Sequence, residues 1–107
     1  MSIAHIQEVV HKNAVEHGWW EDARQFGEVI ALCHSELSEA LEEYRDGHSY
    51  TEIYFNGPKP EGIPIELADV VIRIMDMCGQ YNINLEEAIE LKHDYNKTRP
   101  YKHGKKI

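Results

Sequence analysis

Apolar residues in the middle of this chain recur every three or four positions. Phe26, Val29, Ile30, Cys33, Leu37, Ala40, Leu41 and Tyr44 form one run, and Leu67, Val70, Val71, Ile74, Met75 and Cys78 form another. Only a helix gathers such a spacing on one side. Two wide apolar stripes in 107 residues must be covered by other helices or by other copies. The remaining segments agree. Ser2 is a cap for a helix from about Ile3 to His17, with Ile3, Ile6, Val9, Val10 and Ala14 on its apolar face and Gly18 as its stop. A second helix is expected from Glu21 or Asp22, where acids favour the dipole, to the Arg45-Asp46-Gly47 stop. Pro64 suits the first turn of a third, which runs to about Gln80. Asn84-Leu85-Glu86-Glu87 resembles a capping box and opens a fourth, to about Asn96. Residues 48 to 63 are dense in turn chemistry, which fits a short hairpin-like excursion or a flap over a site, and no convincing strand pattern appears. The expected fold is a single all-α domain over residues 1–107, a four-helix bundle completed by oligomerisation.

Two acidic pairs stand on these helices, Glu36 with Glu39 and Glu66 with Asp69. Residues three apart on a helix share a face, about 5–6 Å between Cβ atoms. Glu36, Glu39 and Glu43 lie on a stripe beside the first apolar face. Glu66, Asp69, Arg73, Asp76 and Gln80 make one polar stripe along the second. Carboxylates on the shoulder of a buried face sit where two helices meet. Four of them packed without cations would repel strongly. A divalent cation relieves that repulsion, and an all-oxygen set suits Mg²⁺ or Mn²⁺ rather than Zn²⁺. A lone ExxE in an acidic protein is usually a solvated face. Two such pairs flanking two core stripes favour a metal site at Glu36, Glu39, Glu66 and Asp69.

Charge is divided unevenly. Six basic residues face 19 acidic ones up to Asn96, and the last eleven residues hold five basic residues and no acid. An acidic body argues against nucleic acid as a partner. The tail from Lys97, with Arg99 just beyond, is either a phosphate-binding arm or a solubilising end. No apolar run approaches the ~18 residues of a membrane span, so no membrane partner is expected. The N-terminus carries no basic-then-apolar signal, and the expected compartment is the cytoplasm. Cys33 and Cys78 read as buried free thiols. Trp19-Trp20 at a helix junction is either a core plug or an aromatic platform for a base, with Trp20 the favoured platform. Glu8-x-x-His11 and Glu90-x-x-His93 could suggest a di-iron bundle, but both glutamates lie nearly opposite their apolar faces, so both pairs are read as solvated.

The stretches HSELSEALEEYRDG (34–47), KPEGIPIELADVVIRIMD (59–76) and YNKTRPYKHGKK (95–106) resemble the MazG-like all-α nucleoside triphosphate pyrophosphohydrolases, over roughly residues 17 to 107. The resemblance implies Mg²⁺ on Glu36, Glu39, Glu66 and Asp69. It also implies cleavage between the α and β phosphates to a monophosphate and pyrophosphate, and a homodimer or homotetramer. The family's first motif often begins with a glutamate pair. Here Ser35 precedes Glu36, with Glu42 and Glu43 one turn on, which leaves open whether Glu36, Glu39 or a neighbour serves as base. Positioning and charge stabilisation dominate phosphoryl transfer. Cations opposite the metal are therefore expected, Lys97 and Arg99 first. Arg73 is second choice, since it shares a stripe with Asp69 and Asp76 and could simply pair with them. The substrate-binding residues are then Trp19, Trp20, Lys97 and Arg99. Two other readings remain: a phosphoribosyl-ATP pyrophosphohydrolase, and a non-enzymatic acidic helical module that needs no metal.

Overall fold

The structure, a computed structural model, describes residues 2–100. Four helices carry it: α1 (Ile3–Glu16), α2 (Phe26–Arg45), α3 (Ile63–Gln80) and α4 (Leu85–Lys97). A two-stranded antiparallel hairpin, β1 (Tyr54–Asn56) and β2 (Lys59–Glu61), joins α2 to α3, with Tyr54 opposite Glu61 and Asn56 opposite Lys59. The strands are three residues each, too short for apolar alternation to show in the sequence. Its turn, Asn56-Gly57-Pro58-Lys59, is closed by Gly57 at a φ of 63°.

Local chemistry sets the helix ends. The Ser2 hydroxyl accepts from the His5 N–H at 3.1 Å, and the Asn84 amide oxygen accepts from the Glu87 N–H at 3.1 Å, both as caps. Glu86 reaches across from α4, and one of its oxygens accepts from the Ile3 and Ala4 N–H groups at 3.1 and 3.3 Å. A carboxylate thus sits at the positive end of α1 and ties the two helices together. α2 begins later than its acids suggest. Gln25 is the cap, while Arg24 turns back so that its Nε donates to the Trp19 carbonyl at 3.2 Å. Residues 21 to 24 serve the turn around Trp19 and not the helix.

α3 is the central helix, packed against both α2 and α1, and α4 rests on α1. α3 supplies most of the core, with Ile63, Met75, Met77 and Cys78, joined by Val29 and Ala40 of α2. Cys78 is buried, but Cys33 is only half-buried. Burial raises the pKa of both thiols. Where α1 crosses α3, Gly79 lies against His11. A Cβ at position 79 would sit 2.6 Å from the His11 Cβ.

Only one edge of the apolar stripe of α2 faces this core. Its inward side carries Val29, Cys33, Glu36, Ala40 and Glu43, while Phe26, Ile30, Leu37, Leu41 and Tyr44 are exposed, as are Leu67 and Val71 of α3. The radius of gyration is 16.4 Å, against about 13 Å for a compact domain near 100 residues. The single chain is open along that side.

Candidate functional site

The inward turn of α2 brings Glu36 to the first two turns of α3. One carboxylate oxygen from each of Glu36, Glu66 and Asp69 lies within 4.8 Å of the others, and all three residues are half-buried. Burial is the main cause of a raised Glu66 pKa, followed by the charges of Asp69, Glu36, Glu39 and Glu43. Burial also raises that of Asp69, with Glu36 adding to it and Arg73 and Lys59 opposing. Both shifts say that the negative charges here are under-compensated. Three hard oxygens on two rigid helices fit an oxygen-preferring divalent cation of the Mg²⁺ kind. Acidic groups also cluster without any ion, so the donor set fits a metal without requiring one.

Glu39 stands apart. It is exposed on α2 and outside the three-oxygen cluster. A spacing of three gives the pair a common face, and the Glu39 charge still acts on Glu66, but only Glu36 brings an oxygen into the cluster. Glu43 is engaged elsewhere. The Tyr54 hydroxyl donates to it at 2.9 Å, and His48 stacks on Tyr54 at 4.7 Å with its Nε2 3.5 Å from Glu43. The hydrogen bond to Glu43 pushes the Tyr54 pKa up to about 12. These contacts hold the hairpin against α2.

A cleft of about 350 Å³ opens beside the carboxylates. Glu36, Asp69 and Arg73 line one end, and Trp19, Ile72, Ala14, His17 and Asp76 complete it. Arg73 does not pair with its stripe-mates. Its Nε donates to Glu36 at 2.9 Å, across the helix interface, and its guanidinium lies 4.4 Å from the Trp19 ring centre. Arg24 lies 4.1 Å from the same ring. Trp19 is thus held by two guanidiniums.

Trp20 is placed differently. Its Nε1 donates to Asp76 Oδ1 at 2.9 Å, and its ring meets His11 and Tyr81 edge-on at 6.3 and 6.1 Å. Trp19 lines the cleft and Trp20 anchors the packing behind it. His11 is half-buried, not solvated, with Nδ1 2.8 Å from Asp76 Oδ1. Its sequence partner Glu8 is exposed as expected. Lys97 pairs with Asp94 at 3.3 Å, and Arg99 lies 5.7 Å from the Tyr95 ring. Neither lines the cleft, and residues 101–107 of the basic tail lie outside the described residues. Among the described residues, no helix is long and apolar enough to cross a membrane.

The sequence reading missed Asp76 and His11 and undervalued Arg73. The signal for Asp76 was its place on the polar stripe two turns beyond Asp69. The signal for the other two was tertiary.

No protein-family model, curated protein or solved structure matches this chain. The functional reading therefore rests on the site itself and on the motif resemblance.

Proposed function

We propose that this chain is a Mg²⁺-dependent nucleoside triphosphate pyrophosphohydrolase of the MazG-like kind, cleaving between the α and β phosphates to give a monophosphate and pyrophosphate. The observation that carries the reading is the convergence of Glu36, Glu66 and Asp69 within 4.8 Å at the end of a cleft walled by Trp19 and Arg73. A triphosphate is a polyanion, and a bare acidic cluster would repel it. Mg²⁺, or Mn²⁺, when bound supplies charge neutralisation of the phosphates and a lowered pKa for an attacking water.

The chain's own residues divide the remaining work. Glu36, Glu66 and Asp69 hold the cation. Arg73 is the guanidinium within the cleft. One of its five donors is used on Glu36, and the fork geometry of the rest suits phosphate oxygens. Glu39 has no hydrogen-bond partner among the described residues, which leaves it free to take a proton from water or to complete the cation's shell. Trp19 offers an aromatic wall to the nucleoside. Lys97 and Arg99 remain a proposed second phosphate contact, brought by the tail of the same copy or of a neighbour.

The exposed stripe Phe26, Ile30, Leu37, Leu41 and Tyr44, with the open single-chain shape, supports a homodimer or homotetramer that completes the helical bundle. Light scattering at micromolar concentration tests this, and a monomer would count against it. A cytoplasmic setting, where nucleoside triphosphates are plentiful, belongs to the same proposal. So does a role in clearing unwanted nucleotides.

The deciding experiment is a screen of nucleoside triphosphates with Mg²⁺, read by ³¹P NMR. Pyrophosphate with a nucleoside monophosphate is expected. Orthophosphate release, or turnover unchanged by a chelator, overturns the reading. Phosphoribosyl-ATP in the same screen separates the histidine-synthesis alternative.

A further inference from the structure

Asp76 is 7% exposed, yet only half of its carboxylate is satisfied. Oδ1 accepts from His11 Nδ1 at 2.8 Å and from Trp20 Nε1 at 2.9 Å. Those two donors come from α1 and from the turn after it, and they fix the plane of the group. Oδ2 accepts from no protein donor, and Asp76 lines the cleft. Oδ2 is not sealed from solvent, since Asn96 Oδ1 is the one buried side-chain oxygen without a partner among the described residues, so Oδ2 is the face of an otherwise buried carboxylate that water or a ligand can reach. A ligand that displaces that water must bring an N–H of its own, or it leaves the carboxylate oxygen unpaired.

A second acceptor lines the same cleft. His17 Nδ1 is 2.8 Å from the Asn13 carbonyl oxygen. A carbonyl only accepts, so Nδ1 carries the proton and Nε2 of the neutral ring is an acceptor. His17 and Asp76 both line the cleft, with Trp19 as its aromatic wall. Asp76 lies seven residues beyond Asp69 on α3, an axial rise of about 10.5 Å. That is comparable to the reach of a nucleotide from its α phosphate to the pairing edge of its base. We infer that Asp76 reads the base of the substrate and selects guanine. The inference rests on the triphosphate reading above and deepens it.

The preference follows from what each base shows to one bare carboxylate oxygen. Guanine presents two adjacent donors, N1–H and the 2-amino group. Adenine and cytosine present an amino group beside a ring nitrogen that accepts. Uracil presents one N–H between two carbonyl oxygens. Each acceptor set next to Oδ2 is repelled, and guanine alone offers two neighbouring donors, with its O6 on the far side of N1–H from the 2-amino group. Sites built to hydrogen-bond a ligand reject analogues that leave their buried polar groups unpaired.

The test uses the full chain with Mg²⁺ and the α,β-methylene analogues of GTP, ITP, ATP and UTP, followed by calorimetry. The GTP analogue is expected to bind tightest. The ITP analogue, which lacks the 2-amino group, should bind about 10-fold more weakly and the UTP analogue about 100-fold more weakly. Asp76→Asn keeps a carbonyl for His11 and Trp20 and replaces the bare acceptor with an NH₂ donor. It should remove the advantage of guanine over uracil, raising KM for GTP far more than it lowers kcat. Equal affinity for the four analogues overturns the assignment and leaves the triphosphate reading standing. So does an Asp76→Asn protein that keeps its guanine preference. Failure of every analogue to bind with Mg²⁺ overturns both. Should Asp76→Asn not fold, the analogue series on the unaltered protein still decides.

Discussion

Asp69 and Asp76 sit two turns apart on one stripe of α3, and their surroundings are opposite. Asp69 is half-buried among carboxylates, accepts no hydrogen bond among the described residues, and has its pKa raised by burial and by Glu36. Asp76 is buried more deeply, and two donors from other elements fix one of its oxygens. Burial alone therefore does not decide what a carboxylate is for. A carboxylate without donors among other carboxylates carries charge that its neighbours leave under-compensated, whereas a partly satisfied one is locked in orientation and holds its neighbours in place. The cleft runs between these two conditions.

The largest effect that would break this comparison is at the carboxylate cluster, on the proposal that it holds a cation. Asp69→Ala should lower kcat/KM by more than about 100-fold, the upper end of what even outer-shell changes cost a metal site. It should at the same time raise the melting temperature of the metal-free protein, because it relieves repulsion. A melt and a steady-state assay on one preparation show whether the two changes run in opposite directions. If activity survives, Asp69 is no metal ligand.

Next comes the cation between the two ends. Arg73→Met keeps a stem for Trp19 but removes the fork and the partner of Glu36. A loss of about 10²–10³ in kcat is expected, the scale of deleting one preorganised donor. Arg73→Lys should recover little of it, since an ammonium does not copy bidentate contact. A lysine variant as active as the parent would reduce Arg73 to a point charge.

A smaller effect is expected at the locked end. Trp20→Phe keeps the ring packing and removes one donor to Asp76. It should cost about 1 kcal/mol in urea unfolding. An Asp69→Asn change, with no donor to lose, should cost nothing there.

The last prediction concerns pH. Glu66 and Asp69 hold their protons to higher pH in the folded protein than their ordinary values of 4.5 and 3.8. The folded state thus binds more protons than the unfolded one in that window. Metal-free stability should fall as pH rises from the ordinary carboxylate values through the raised folded ones, and then level off. Saturating Mg²⁺ should remove that fall by favouring the ionised forms. Urea midpoints from about pH 4 to 7, with and without Mg²⁺, measure it. Identical profiles would mean that no cation binds the cluster.

Much of this was legible in the sequence. Apolar spacing marked the four helices, and Ser2 and Asn84 announced their caps because capping is local. Glu66 and Asp69 were legible because their shared helical face survives into the fold, whereas Glu36 joins them across the helix interface without its face-mate Glu39. The start of α2 was not, because Arg24 is taken by the Trp19 carbonyl five residues back, a side-chain-to-backbone turn contact that overrides the acids at 21 and 22. The direction of α2 was not either. Periodicity finds its apolar face but cannot say that the single chain turns Glu36 and Glu43 inward and leaves Leu37 and Leu41 in water. The Arg73–Glu36 pair and the His11–Asp76–Trp20 group join residues 37 to 65 positions apart, and no local pattern encodes them.

The Gly79 crossing has a consequence for anyone who would engineer this protein. Replacing a glycine inside a helix with alanine is a routine route to higher thermal stability, worth up to about 1 kcal/mol in a helix interior and less at position 79, in the last turn of α3. At position 79 the added methyl would meet the His11 side chain at 2.6 Å. To make room, α1 would have to back away, carrying with it the imidazole that orients Asp76. A substitution that a propensity ranking would favour is thus expected to loosen the cleft wall from behind, and, on the base-reading role proposed for Asp76, to blunt that role before it unfolds the protein.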